Sequence, residues 1–188
     1  MTSAPMRKDA ARNRQRIVDV ARRLVDDGTP LQLNDVARLV GVGVATVYRH
    51  FPTPEALMEA VATPGLEALI ARAERALAEE DAWKALSGFL DVTVEALLTD
   101  ASLTAVRAAP ERVVARTEEL TAALDSLAGR LLDRARAADA VRGVVTWDDL
   151  LPLVCGIAFA AKVHTDDREA RLASGRRYLE VMLTGLRS

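Results

Sequence analysis

The stretch LNDVARLVGVGVATVYRHFPTPEAL, residues 33–57, decides how the rest of the 188-residue chain is read. Val36 and Ala37 begin an apolar face that returns at Val40, one helical turn later. Gly41 tolerates the positive φ that ends a helix in a tight turn. Val42 is the apolar residue of that turn, and Gly43 serves as a permissive N-cap. The spacing predicts a second short helix from about Val44 to His50, with Val47 pointing back at the first. Ala37 falls where two crossing helices come close, so a larger side chain would push them apart. Val44, Ala45, Tyr48 and Arg49 then share one side of the second helix. That side is free to enter a DNA major groove, about 12 Å wide.

Asp35-Val36-Ala37, Gly41-Val42, Thr46-Val47-Tyr48-Arg49-His50-Phe51 and Glu55-Ala56-Leu57 resemble the DNA-binding domain of the tetracycline-repressor (TetR) family of one-component regulators. With the preceding helix the likeness covers roughly residues 13–62. Its spacing is far more specific than a bare helix-turn-helix pattern. It implies that Tyr48 and His50 anchor phosphates and that Thr46 meets a phosphate or a base edge. Gln32 stands where the family often has a phosphate-bonding Ser or Thr, and Gln is a poorer cap. Arg14, in the basic first helix, joins the DNA-binding candidates. Arg49 makes either a bidentate contact to guanine or a grip on the backbone, and sequence does not separate the two. Val44 and Ala45 offer apolar contacts such as the thymine methyl, leaving much of the specificity to Arg49 and to DNA shape. The family commonly has a basic residue where Pro54 stands, so fewer phosphate contacts are expected.

The net charge of −2 looks wrong for a DNA binder until it is divided. Residues 1–62 carry nine Lys/Arg and seven Asp/Glu, while residues 63–188 carry sixteen and twenty. Residues 1–25 alone hold seven basic and two acidic groups. A basic arm beside the reading head, with an acidic body behind it, orients the molecule toward phosphate. With 50% hydrophobic and 28% charged residues the chain reads as globular. No apolar run approaches the roughly 20 residues that cross a bilayer, so no membrane partner and a cytoplasmic location are expected. Cys155 is the single cysteine, which rules out an internal disulfide.

Three regions follow. Residues 1–12 read as a flexible basic arm, 13–62 as the helix-turn-helix domain, and 63–188 as a helical ligand-binding and dimerisation domain. In the first helix, about Asn13–Asp27, Ile17, Ala21, Leu24 and Val25 repeat at helical spacing while Arg14, Arg16, Arg22 and Arg23 take the other faces. Pro52 stops the reading helix, and Thr53 caps a helix to about Ala62 with Pro54 in its first turn. Thr63-Pro64-Gly65 is expected to break or kink that helix and to mark the domain boundary. Beyond it lie amphipathic helices at about Leu66–Leu77, Ala82–Leu98, Ser102–Ala109 and Glu111–Ala138. Thr146-x-x-Asp149 resembles a capping box that starts a helix to about His164, and a last helix covers about Asp167–Leu186. No strand signal appears, and the fold class is all-α: a three-helix reading head with a helical bundle behind it.

The last two helices are apolar around more of their circumference than one core-facing stripe requires. In the resembling family they pair with their copies in a four-helix interface. Leu151, Val154, Ala158, Leu179, Leu183 and Leu186 are therefore the expected contacts of a homodimer, which would space two heads for successive major grooves. The resemblance also implies a pocket for a small-molecule effector inside the bundle, with the scarce aromatics Trp83, Phe89, Trp147, Phe159 and Tyr178 as candidates, although each also reads as plain core. No charged cluster within an apolar helix points to an ionic ligand, so an apolar or neutral compound is expected. Nothing catalytic stands out. Two histidines, His50 and His164, are too few for a metal site without carboxylates, and there is no Glu-x-x-His pair, Gly-rich phosphate loop or nucleophile elbow. No cofactor is expected, and Cys155 reads as an inert thiol. The expected function is a ligand-responsive repressor on a double-stranded palindromic operator. An architectural DNA-binding protein without a sensor is the alternative, and an enzyme on a helical bundle is a third reading, against which the missing groups argue.

Overall fold

The computed structural model describes residues 4–143, 145–165 and 167–188, with side chains from Asp9 onward. Among them the chain forms α1 (Ala4–Asp26), α2 (Leu33–Val40), α3 (Val44–His50), α4 (Pro54–Leu77), α5 (Ala82–Thr99), α6 (Ala101–Ala108), α7 (Ala115–Ala137), α8 (Trp147–His164) and α9 (Arg168–Leu186). The class is all-α, relieved only by an isolated antiparallel bridge between Val141 and Arg187 among the described residues. Short polar side chains set most helix starts. Thr53 accepts from the Ala56 N–H, Asp81 from Lys84, Asp100 from Ser102 and Leu103, and Asp167 from Ala170. Thr146 and Asp149 complete a reciprocal capping box at the head of α8.

Two apolar clusters divide between Val61 and Ala62. The smaller joins Ile17, Ala21, Val36, Ala37, Val40, Val47, Phe51 and Leu57 beneath the head. The larger fills the bundle of α4–α9. Both draw on α4, which passes Thr63-Pro64-Gly65 without a break, contrary to the sequence expectation. Tertiary packing overrides the local signals here. Leu57 and Val61 lie buried before Pro64, and Leu66, Leu69 and Ala73 after it. Gly65 is not a flexible joint either. A Cβ there would stand 2.9 Å from Leu103 Cγ and Cδ1, so its missing side chain lets α6 lie against α4.

Two other boundaries moved. α1 begins at Ala4 rather than near Asn13, so residues 4–12 of the expected arm are helical and residues 1–3 lie outside the described ones. Alanines favour that extension, and Pro5 is tolerated in a first turn. α7 begins at Ala115 instead of Glu111, because Pro110 precedes a segment whose Val113 and Val114 N–H groups go elsewhere. Val113, on the segment before α7, is exposed.

The glycines separate close packing from mere helix content. Gly65→Ala is expected to destabilise the protein by about 1–3 kcal/mol through overpacking against Leu103. Gly88→Ala, on an exposed face of α5 with open space around it, should stabilise by about 0.5–1 kcal/mol. Urea unfolding of the two variants measures both signs.

Candidate nucleic-acid interface

The reading head is a helix pair fixed from behind. At the end of α2, Gly41 adopts φ 73° and ψ 38°, and its N–H donates to the carbonyls of Ala37 and Arg38. The Val42 N–H follows onto Ala37 O at 3.1 Å, which turns the chain sharply toward α3. Gly43 is the N-cap of α3 in extended backbone, and no side chain caps the helix there. Val47 is fully buried against α2, whose Ala37 is also buried, as the spacing predicted.

With Val47 turned inward, the rest of α3 faces out. Val44 is 43% and Tyr48 48% exposed, and Ala45 and Arg49 are exposed beside them. Thr46 and His50 are half-buried at the edges of this face. Gln32 is exposed at the N-cap of α2 and makes no capping hydrogen bond, in keeping with its weak cap chemistry. Arg14 is exposed on α1, and its guanidinium lies 5.2 Å over the Phe51 ring, at the far end of α3. The eight expected DNA-binding residues thus come from α1, the start of α2, and α3.

Sequence reading missed the arginines that hold this head in place. Arg16 Nη2 donates to Val40 O at 2.6 Å, closing the end of α2 onto α1. Arg22 reaches from α1 to the body: Nη1 donates to Asp100 Oδ2 at 2.8 Å, and Nη2 to Val61 O in α4. A third fastening runs through α4. The buried Glu59 carboxylate accepts the N–H groups of Val113 at 2.8 Å and Val114 at 3.0 Å, just before α7. No local pattern marks these partners, since 24 to 78 residues separate them.

The other candidates lie in several parts of the bundle. Phe89 and Trp147 pack together in the bundle with ring centroids 6.3 Å apart. Trp83 lies under the Arg187 guanidinium at 5.4 Å, and Tyr178 is half-buried on α9. Phe159 faces outward, 69% exposed, because it falls opposite the buried stripe Leu150, Val154, Ile157, Ala158 and Ala161. Of the expected dimer contacts, Val154, Ala158, Leu179 and Leu186 are buried in the chain's own core, and Leu151 and Leu183 pack half-buried against it. The apolar surface left open on α8 and α9 is instead Leu153, Phe159, Val163 and Val181.

Comparison with known proteins agrees with this geometry. Residues 17–61 match the model of the tetR family of bacterial regulatory proteins, and residues 81–188 match the C-terminal domain of SbtR-like transcriptional regulators. The chain belongs to the TetR family of transcriptional regulators. It is 30% identical to a TetR regulatory protein of Mycobacterium vanbaalenii over 98% of this chain and 100% of that one, with a TM-score of 0.54. A TetR regulator of Streptomyces coelicolor is 28% identical, covering 93% and 98%, with a TM-score of 0.58. A helix-turn-helix-type regulator of Staphylococcus aureus is 46% identical over 48 residues, 24% of this chain. That match spans about a quarter, 26%, of the curated relative's length. The chain is thus a DNA-binding regulator of a non-enzymatic family, and among its described residues no helix is long and apolar enough to cross a membrane.

The Arg22–Asp100 clip gives the regulator a pH signature. Burial by itself raises the Asp100 carboxyl, but hydrogen bonds from Ser102 and Arg22, with the arginine's charge, outweigh it and leave the group below the ordinary carboxylate range. A lowered folded value contributes stability that is complete above the unfolded pKa, about 3.9, and is lost as pH falls through the folded value. Asp100→Asn should therefore cost about 1–2 kcal/mol at pH 7 in urea unfolding, and the difference from the wild type should shrink below pH 4.

Proposed function

We propose that the regulator is a cytoplasmic homodimeric repressor, held on a palindromic operator and released from it by a small-molecule effector. One observation carries the DNA reading: α3 buries Val47 and leaves Val44, Ala45, Tyr48 and Arg49 exposed as one continuous face. That face enters the major groove. Tyr48, Thr46 and His50 position the head on phosphates, Gln32 and Arg14 flank it, and Arg49 supplies the polar contact. The acidic body is turned away from the duplex.

Dimerisation uses the face that the chain leaves uncovered. Leu153, Phe159 and Val163 lie along the outer side of α8, where Gly156 and Ala160 also permit close approach, and Val181 lies on neighbouring α9. A two-fold pairing of α8 and α9 with their copies buries these side chains and sets two heads on one side of the assembly. Effector binding in the body reaches the heads through α6 and α4. α6 is tied to α1 by Asp100 and Arg22, and the segment after it is tied to α4 by Glu59. An effector that favours the wide-headed arrangement lowers operator affinity by its differential affinity alone.

Selection of random duplexes on the purified protein should recover an inverted repeat, and no enrichment at low salt would sink the operator reading. On the recovered site, Tyr48→Ala and Arg49→Ala should each weaken binding by about tenfold or more without unfolding, measured by fluorescence anisotropy. Arg49→Ala also settles its role. Relaxed preference at one base pair marks guanine readout, whereas uniform weakening with a salt slope lower by about one marks a phosphate grip. The double variant Phe159→Glu/Val181→Glu should sediment as a monomer and lose operator affinity, and a dimer that persists would redirect the interface elsewhere.

A further inference from the structure

The bundle contains a cleft of about 430 Å³ lined by Arg107, Pro110, Arg112, Thr121, Asp125 and Leu151. That volume suits a small organic molecule. Its charged groups are Arg107, Arg112 and Asp125, together with the exposed Glu111 and Glu118, and they differ in their partners. Arg107, with a side chain only 4% exposed, donates to Asp125 at 2.6 and 3.4 Å. The same Asp125 carboxylate accepts the Trp147 indole N–H at 2.9 Å. One carboxylate is thereby committed to one guanidinium and one indole.

Arg112 is left over. Its Nη1 donates to Ala109 O at 2.5 Å and, at longer range, to Glu111 O at 3.4 Å. Its Nε is buried and has no hydrogen-bond partner among the described residues. Nor does any carboxylate among them form an ion pair with it. Burial first, and then the positive charge of Arg107, push Arg112 below the ordinary arginine value, more than Glu59 and Asp125 raise it. Arginine remains charged even so. Glu111 and Glu118, which also line the cleft, are exposed, where water and salt screen them. Cys155, one turn beyond Leu151, adds no negative charge because burial pushes its thiol up.

A buried guanidinium N–H without an acceptor is costly, and an ionised acceptor relieves it best. We propose that this cleft binds a small organic carboxylate, its anionic group paired with Arg112 and its apolar body laid against Pro110 and Leu151. The inference deepens the effector reading above and takes its regulatory meaning from it. It replaces the neutral ligand expected from sequence, where the charges lie apart. Arg107 engages Asp125, which makes no ion pair with Arg112 among the described residues, and Trp147 reports on the site through its bond to the same carboxylate.

The test titrates benzoate and hexanoate, and their neutral partners benzamide and hexanamide, into the full chain carrying Trp83→Phe. Trp147 is then the sole indole, and its emission follows binding. The carboxylates should change the emission saturably and bind at least about tenfold tighter than the amides. Arg112→Gln should remove that preference while the operator is still bound, and Arg112→Lys should restore part of it. Equal binding of acids and amides, an unaffected Arg112→Gln, or no response to any of the four compounds would overturn the proposal. Operator release is read separately by anisotropy. An acid that binds through Arg112 but leaves the operator occupied supports the site and removes the effector reading. Release by a compound insensitive to Arg112→Gln does the reverse.

Discussion

Because α4 runs unbroken from Pro54 to Leu77, the side chains of one rod complete two separate cores. Leu57 and Val61 close the head, while Leu66, Leu69 and Ala73 enter the bundle. An interior proline costs a helix about 3 kcal/mol by removing a hydrogen bond and crowding the preceding turn. Burial on both sides of Pro64 offsets that cost, since a fully buried Leu or Val contributes roughly 1.5–3 kcal/mol. Gly65 extends the constraint to α6 through Leu103, and Arg22 extends it to α1 through Val61 O. A head attached in this way cannot swing on a loose linker. It moves when α4 or α6 moves.

The helix-turn-helix was legible in the sequence because its information is local. Apolar residues one turn apart, a glycine at the only turn position that needs positive φ, and an alanine at the crossing all lie within a dozen residues, and the structure places them as expected. The capping box at Thr146 and the N-cap at Thr53 were legible for the same reason. Local rules failed where a distant element outweighed them. Pro64-Gly65 reads as a break, but Leu103 lies 38 residues further on, and only its approach explains the glycine. Glu111–Val114 reads as helix, but Glu59 takes the N–H groups that would begin it.

The candidate site divides along the same line. Which residues of α3 face out follows from burying Val47, and period alone predicts it. Which side of α8 the chain itself covers did not follow, because the helix is apolar on two sides and periodicity does not choose between them. Val154 and Ala158 went inward; Phe159 and Val163 stayed outside. The scarce aromatic side chains, each read as a pocket candidate or as plain core, are spread by the fold: Phe89 packs on Trp147, Trp83 lies under Arg187, and Phe159 faces outward. The polar cluster of the bundle was illegible for another reason. Arg107, Arg112, Asp125 and Trp147 sit on α6, the loop after it, α7 and α8, so no single helix looks charged within.

The same loop holds both Arg112 and the fastening to the head. Arg112 faces the cleft, and the next two N–H groups, at Val113 and Val114, are held by Glu59 of α4. With extended residues spanning only about 3.3–3.6 Å each, Arg112 cannot follow a bound ligand far without straining those two bonds. Hydrogen bonds to a charged group are worth about 1.5–3 kcal/mol each, comparable to the 1–3 kcal/mol by which linked sites commonly influence one another. If the cleft takes the proposed carboxylate, the loop has enough at stake to pass the ligand's preference to α4, and by reciprocity an operator-bound head that fixes α4 would change how readily the cleft accepts it.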